Sequence, residues 1–234
     1  MIGTLDRMKT KLITGGCSFS LTSQNIKDHH PTWPNFLAQE LDADLTSKAM
    51  GSQGNGLISR GVIYEVSQRL HEADEMMVGI MWSGTDRHEI YTSEPLFENV
   101  DMWAENPTGF VNTRSKNWQI LNPHWMTEKS DVYYHKLHHV NFGYINTMEH
   151  ILRTQWLLQK HNIKYFMTTF MDIFKDMPRT KELTHLYALV DWEKFLPIRG
   201  MYEWCDGCEG NGDHPSEEQH ERFVKEVINE YLHS

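Results

Sequence analysis

Ser18 stands in the turn Gly15-Gly16-Cys17-Ser18-Phe19-Ser20, directly after the apolar run Lys11-Leu12-Ile13-Thr14. Glycines let a backbone turn sharply at a strand's tip, which would present the Ser18 hydroxyl together with its own N–H. A serine hydroxyl is a poor nucleophile until a base takes its proton, so a histidine has to be found. His214 is placed to serve: in His214-Pro215-Ser216 the proline fixes the local backbone and a following helix anchors the loop. Such a pair performs acyl transfer. Each member alone has an ordinary reading, the serine as part of a surface turn and the histidine as an exposed residue at a helix start, one of 14 in the chain.

A competing chemistry lies in Cys205-Asp206-Gly207-Cys208. Zinc needs four ligands, and Cys205, Cys208, His214 and His220 could supply them. Their spacing lacks the gap of about twelve residues usual between ligand pairs, so plain thiols are favoured over zinc or a reversible disulfide. A zinc ion that took His214 would exclude acyl transfer there. His29-His30 and His138-His139 read as solvated or outlying groups rather than ligands.

With Ser18 and His214 taken together, the sequence resembles the SGNH/GDSL hydrolases. Gly16-Cys17-Ser18-Phe19-Ser20 matches a Gly-Cys-Ser-Phe form of that family's first block, with Cys17 where many members carry Asp, and His214-Pro215-Ser216 matches the end of its last block. The resemblance implies that Ser18 is the nucleophile and His214 its base. It also implies that Gly51, in Ala49-Met50-Gly51-Ser52, gives an oxyanion-hole N–H, with Gly54 as the rival. The family's third block is Gly-x-Asn, and Ser83-Gly84-Thr85-Asp86 places Asp86 where its amide donor is expected. A carboxylate would repel an oxyanion, so Asn55 is the candidate replacement, with a helix N-cap as its equal alternative. Asn211 stands three residues before His214, where the family has an acid. Its amide oxygen could hold the imidazole tautomer but would stabilise the imidazolium less. Asp213 and Asp206 are the other candidates, although Asp213, adjacent to His214, would need an unusual turn.

The fold implied by the resemblance is a three-layer α/β/α sandwich on a parallel, flavodoxin-like sheet. The implied activity is hydrolysis of a small O-acyl ester, glycan acetyl esters among them, with no metal or cofactor. The alternative is a catalytically weak or inactive module of that fold that binds a glycan or a protein, motivated by Asn211 and Asp86. Trp82, Trp103, Trp118 and Trp125 fall at or after the third strand's end. They read first as packing for an insertion and second as an aromatic wall for a sugar or acyl group.

The elements that must position these residues follow from periodicity. Lys11–Thr14 and Met76–Trp82 are apolar runs without alternation, as in strands covered on both faces, and Lys164–Phe170 is a further strand. Asp44–Met50 is a weaker strand. Thr32-Trp33-Pro34 opens a short helix. From Asn55 to about Ala73, Ile58, Val62, Val66 and Leu70 recur at helical spacing. A long helix is expected over Leu137–His161 with Ile145, Met148, Leu152, Trp156 and Leu157 inward. Short helical pieces follow at Lys181–Val190 and Trp192–Leu196. The last helix runs from an N-cap at Ser216 to about Leu232, with Phe223, Val227, Ile228 and Tyr231 inward. Strand and helix alternate as in an open α/β sheet, whose ligands sit at the carboxyl ends of the strands. Gly84 to about His135 has no clean period and reads as an insertion folded over that edge.

The 234 residues suit one domain spanning 1–234, with the insertion at about 84–135. Hydrophobic residues make up 39% and charged residues 23%, a globular balance. The net charge of −10 disfavours a phosphate-backbone partner, and a small-molecule or carbohydrate ester is the partner that the resemblance implies. No run approaches the ~20 apolar residues of a membrane span. Met1–Thr10 lacks a secretory apolar stretch, and the 3 cysteines are too few for a disulfide framework, which together point to the cytoplasm.

Overall fold

In a computed structural model of the chain, the described residues are 9–91, 118–123 and 128–234. The elements in order are β1 (Lys11–Gly15), α1 (Trp33–Glu40), β2 (Asp44–Ser47), α2 (Asn55–Gln68), β3 (Met76–Trp82), β4 (His88–Tyr91), β5 (Trp118–Leu121), α3 (Glu128–Val132), α4 (Val140–Lys160), β6 (Lys164–Thr169), α5 (Lys181–Leu189), α6 (Met201–Cys205) and α7 (Glu217–Phe223). A π-helical turn at Val224–Ile228 carries α7 on to His233.

Four strands form a parallel sheet in the order β2-β1-β3-β6. Phe195 adds one parallel bridge to Met167 at the β6 edge. The alternation of side chains along each strand sorts the core into two layers. Ile13, Val78, Ile80, Trp82 and Met167 pack with Ile58 and Val62 of α2 and Met148, Ile151 and Leu152 of α4. Leu12, Met81 and Phe166 pack on the opposite face with Trp33 and Leu37 of α1 and Phe223 of α7. Both faces are apolar because both are covered, which is why these strands show no polar alternation. Gly79 is needed where Trp33 crosses, since a Cβ there would overlap the Phe166 ring.

The sheet, helices and layering agree with the sequence reading, and the differences are local. The second strand ends at Ser47 rather than Met50. The α2 helix stops at Gln68, and a 3-10 segment, Leu70–Glu75, takes the rest of the expected helix. The long helix starts at Val140 rather than Leu137, capped by the His139 ring, which accepts from the Asn141 N–H at 3.1 Å. Trp156 lies on its solvent face at 53% exposure, while Gln155 and Leu158 take the inner positions. Within the expected insertion, β4 and β5 pair antiparallel as a second, two-stranded sheet, and 92–117 and 124–127 lie outside the described residues. Among the described residues no helix is long and apolar enough to cross a membrane.

Lys48 Nζ meets Glu65 Oε2 at 2.7 Å with both side chains at most 10% exposed, and Arg69 Nε meets Glu65 Oε1 at 2.8 Å. This cluster ties the exit of β2 to α2 across the loop that carries Gly51.

Candidate active site

The chain leaves β1 through Gly15 and Gly16 and enters a one-turn 3-10 helix, Ser18–Ser20. A Cβ on Gly16 would overlap the Ser20 side chain, so the turn is this tight only with glycine there. Its neighbours are locked inward. Cys17 and Phe19 are buried, and Ser20 Oγ accepts from Trp33 Nε1 at 2.9 Å. The Ser18 side chain is left facing the sheet's carboxyl edge.

His214 arrives from the other end of the chain on a loop shaped by the first turn of α7. Ser216 and Gln219 form a reciprocal capping box. Gln219 also reaches back into the loop, where Nε2 donates to Gly207 O at 2.7 Å and Oε1 accepts from Glu209 N–H at 3.0 Å. Gly210 N–H donates to His214 O at 2.8 Å. The loop turns through left-handed positions at Gly212 (φ 64°) and Asp213 (φ 58°). The His214 ring rests near Phe19, centroids 5.0 Å apart.

His214 Nε2 lies 2.8 Å from Ser18 Oγ, and His214 Nδ1 lies 2.7 Å from the backbone carbonyl of Gly212. A carbonyl can only accept, so Nδ1 carries the hydrogen and Nε2 the lone pair of the neutral ring. The Ser18 hydroxyl therefore donates to Nε2. The position facing Nδ1 is filled by main chain. Asn211 and Asp213 are exposed and make no side-chain hydrogen bond among the described residues. Asp206 is the left-handed C-cap of α6 (φ 51°) and likewise does not reach the ring.

The expected oxyanion donors separate. The Ser18 and Gly51 N–H groups have no acceptor among the described residues, and Gly51 is buried beside the turn, its neighbour Met50 donating to Gly16 O at 3.2 Å. Gly54 N–H is already given to Glu89 Oε1 at 2.6 Å. The Asn55 amide is spent too: Oδ1 accepts from Ser83 N–H at 2.7 Å, and Nδ2 donates to Ser83 O and Thr147 Oγ1, both at 3.0 Å. Asn55 is a buried brace between α2, the end of β3 and α4, and it is neither a donor to the site nor the N-cap, which is Gly54. The Asp86 side chain folds back toward Gly84, and its backbone carbonyl accepts from Tyr134 Oη at 2.6 Å.

Trp82 is not a groove residue. It is fully buried in the layer with α2 and α4, on the same strand face as Val78 and Ile80. Trp103 and Trp125 lie outside the described residues, and the Trp118 side chain is likewise not described. Sequence reasoning missed Arg87. Its Nη1 donates to Ser83 Oγ at 2.9 Å, and its guanidinium lies 5.0 Å from the centroid of the Phe170 ring, which packs edge-on against Phe19. The available signal was a cation one residue beyond the position expected for the third-block amide.

The zinc set does not assemble around His214, whose two nitrogens face Ser18 and Gly212. Cys205 and Cys208 are free thiols, and burial pushes Cys205 up to about 12 and raises Cys208. Among the described residues no three His, Cys, Asp or Glu side chains gather as a metal site. His29 and His30 stack with centroids 4.4 Å apart at the surface.

Comparison with known proteins bears on the fold and the family. A search of solved structures matches TesA with TM-score 0.50 and 12% identity, covering 95% of this chain and 98% of that one. It also matches a lipolytic protein of the G-D-S-L family from Desulfitobacterium hafniense DCB-2, with TM-score 0.44 and 13% identity over 96% and 98% of the two chains. A carbohydrate esterase is matched with TM-score 0.46 and 12% identity over 98% and 70%. No curated protein matches the sequence. The family of unknown function DUF6071 matches residues 22–234, a span that includes His214 and begins just after the Ser18 turn. The chain belongs to the DUF6071 family, and its fold is similar to that of TesA.

Proposed function

We propose that this protein is a serine ester hydrolase in which Ser18 is the nucleophile and His214 the general base. The observation that carries the reading is the 2.8 Å contact between Ser18 Oγ and His214 Nε2, two side chains 196 positions apart in sequence. His214 Nε2 takes the hydroxyl proton as Ser18 Oγ bonds to the ester carbonyl carbon, and the carbonyl oxygen becomes an oxyanion. The Ser18 and Gly51 N–H groups, both without acceptors among the described residues, point to the hole that receives it. Such a donor is worth roughly 3 kcal/mol in the barrier. The imidazolium then returns the proton to the departing alkoxide, and water repeats the sequence on the acyl-serine. The Gly212 carbonyl fixes the tautomer throughout and supplies a charge-assisted acceptor to the imidazolium, in the place where an acid is usual.

The substrate class is a small O-acyl ester, an acetylated glycan among the candidates. A second reading is a binding module on the same fold, favoured by the absence of a carboxylate against His214 Nδ1 among the described residues. Turnover of a short-chain aryl ester separates the two. The hydrolase reading expects measurable turnover that Ser18→Ala abolishes, and unchanged turnover in that variant would remove Ser18 from the mechanism.

A further inference from the structure

The loop that delivers the Gly51 amide is held from the sheet side by the end of β1. Gln53 Nε2 donates to Gly16 O at 2.5 Å and to Lys48 O at 3.1 Å. Its other end is the start of α2, and here the local sequence supplies no cap, because Gly54 occupies the N-cap position. The first amides of a helix need acceptors from elsewhere. A carboxylate on β4 provides one, as Glu89 Oε1 accepts from Gly54 N–H at 2.6 Å.

That carboxylate is in an expensive place, with a side chain only 4% exposed. Burial pushes Glu89 up to about 7, against the opposing pull of Arg60, the Gly54 and Leu57 amides and Arg153. Two glycines clear its seat: a Cβ on Gly54 would overlap Glu89 Oε1 and Arg87 O, and a Cβ on Gly56 would overlap Glu89 Oε2. The reaction sequence itself makes no use of this buried acid.

We propose that Glu89 is the positioning residue of the oxyanion loop. By fixing Gly54 and the first turn of α2, it sets the direction in which the Gly51 amide points. The inference rests on the hydrolase reading for its consequence in rate, but its structural half can be read without catalysis.

The test pairs backbone-amide NMR of the full chain with ester hydrolysis in the wild type, Glu89→Gln and Glu89→Ala. In the wild type the Gly54 and Gly51 amide shifts should move with pH through a shared midpoint near the Glu89 value of about 7, and the transition should vanish in Glu89→Gln. The groups around Glu89 are Arg60 from α2, Arg153 and His150 from α4, and Tyr133 and Tyr134 before α4, with His88 its chain neighbour on β4. Burial lowers His88 to about 4 and His150 to about 3, so neither titrates in that range. In the assay Glu89→Ala should lose about tenfold in kcat with KM within about twofold, a fraction of the hundredfold or more that follows outright loss of an oxyanion donor. Glu89→Gln keeps an acceptor oxygen for Gly54 and should recover most of that loss. A Gly51 amide indifferent to Glu89, or a Glu89→Ala protein that loses melting temperature but no kcat, would overturn the proposal. A wild type without ester turnover would count against the hydrolase reading, and the amide titration would still decide whether Glu89 holds the loop.

Discussion

Substituting Asn211→Ala or Asp213→Asn removes the side chains that sequence alone would set behind His214. In a Ser-His-Asp site, disabling the acid lowers kcat by about 10⁴, or roughly 5.5 kcal/mol. Here His214 Nδ1 is already bonded to the Gly212 carbonyl at 2.7 Å. Both side chains are exposed, and neither makes a hydrogen bond among the described residues. Asn211→Ala therefore removes no contact to the ring. Asp213→Asn removes only a solvated charge, whose effect on the imidazolium through high-dielectric surroundings is on the order of 1 kcal/mol. Each variant should keep kcat/KM within about fivefold of the wild type, the rate equivalent of that energy. Gly212→Ala should cost more, since a side chain at φ 64° strains the turn that aims the carbonyl. Initial rates on an aryl acetate, with melting temperatures as a control for folding, decide the matter. A fall of about a hundredfold or more in Asn211→Ala or Asp213→Asn at unchanged melting temperature would refute the main-chain account and put a side chain back behind His214.

Glu65→Ala removes the 2.7 Å partner of Lys48 and the 2.8 Å partner of Arg69 together, and should lower the unfolding free energy by about 3–5 kcal/mol in urea titrations; a change below about 1 kcal/mol would show that these pairs contribute no more than surface ones. Burial lowers His220 to about 3 and His88 to about 4, whereas an unfolded histidine binds its proton near 6.5. The unfolded state therefore holds more protons than the folded state in that window, and each residue should remove up to roughly 1.4 kcal/mol per unit as pH falls through it. Glu89, raised from 4.5 to about 7, works in the opposite sense between those values and stops offsetting the loss below 4.5. Urea midpoints from pH 7 to pH 4 should show net acid destabilisation, with a shallower slope in His220→Gln; an unchanged slope would mean that His220 takes its proton in the folded state.

Strands β1 and β3 were legible because they are apolar on both faces and give way to glycine or a polar residue, as Gly15 and Ser83 show. The phase of Trp82 was legible as well, since it shares parity with Val78 and Ile80 and so points into their layer. Its position at the strand's end suggested a groove, and parity was the stronger guide. Trp156 failed for a related reason: the helical stripe passes through Leu152, Gln155 and Leu158, leaving the larger residue outside. Ser18 and His214 each sit beside backbone punctuation, the glycine pair and the His-Pro-Ser step. The partner of His214 Nδ1 could not be read in advance, because a backbone carbonyl has no residue type to recognise. Glu89 was hidden in a segment without periodicity, and its partner Gly54 lies 35 positions away.

Activation of Ser18 by His214 would show itself as chemical reactivity at the serine. The direct measurement is reaction of the folded protein with a fluorophosphonate, followed by mass spectrometry of its peptides. The account predicts one adduct per chain, on Ser18, forming about a hundredfold or more slowly in His214→Ala. No adduct on the folded wild type, or an adduct elsewhere with Ser18 unmodified, would contradict it.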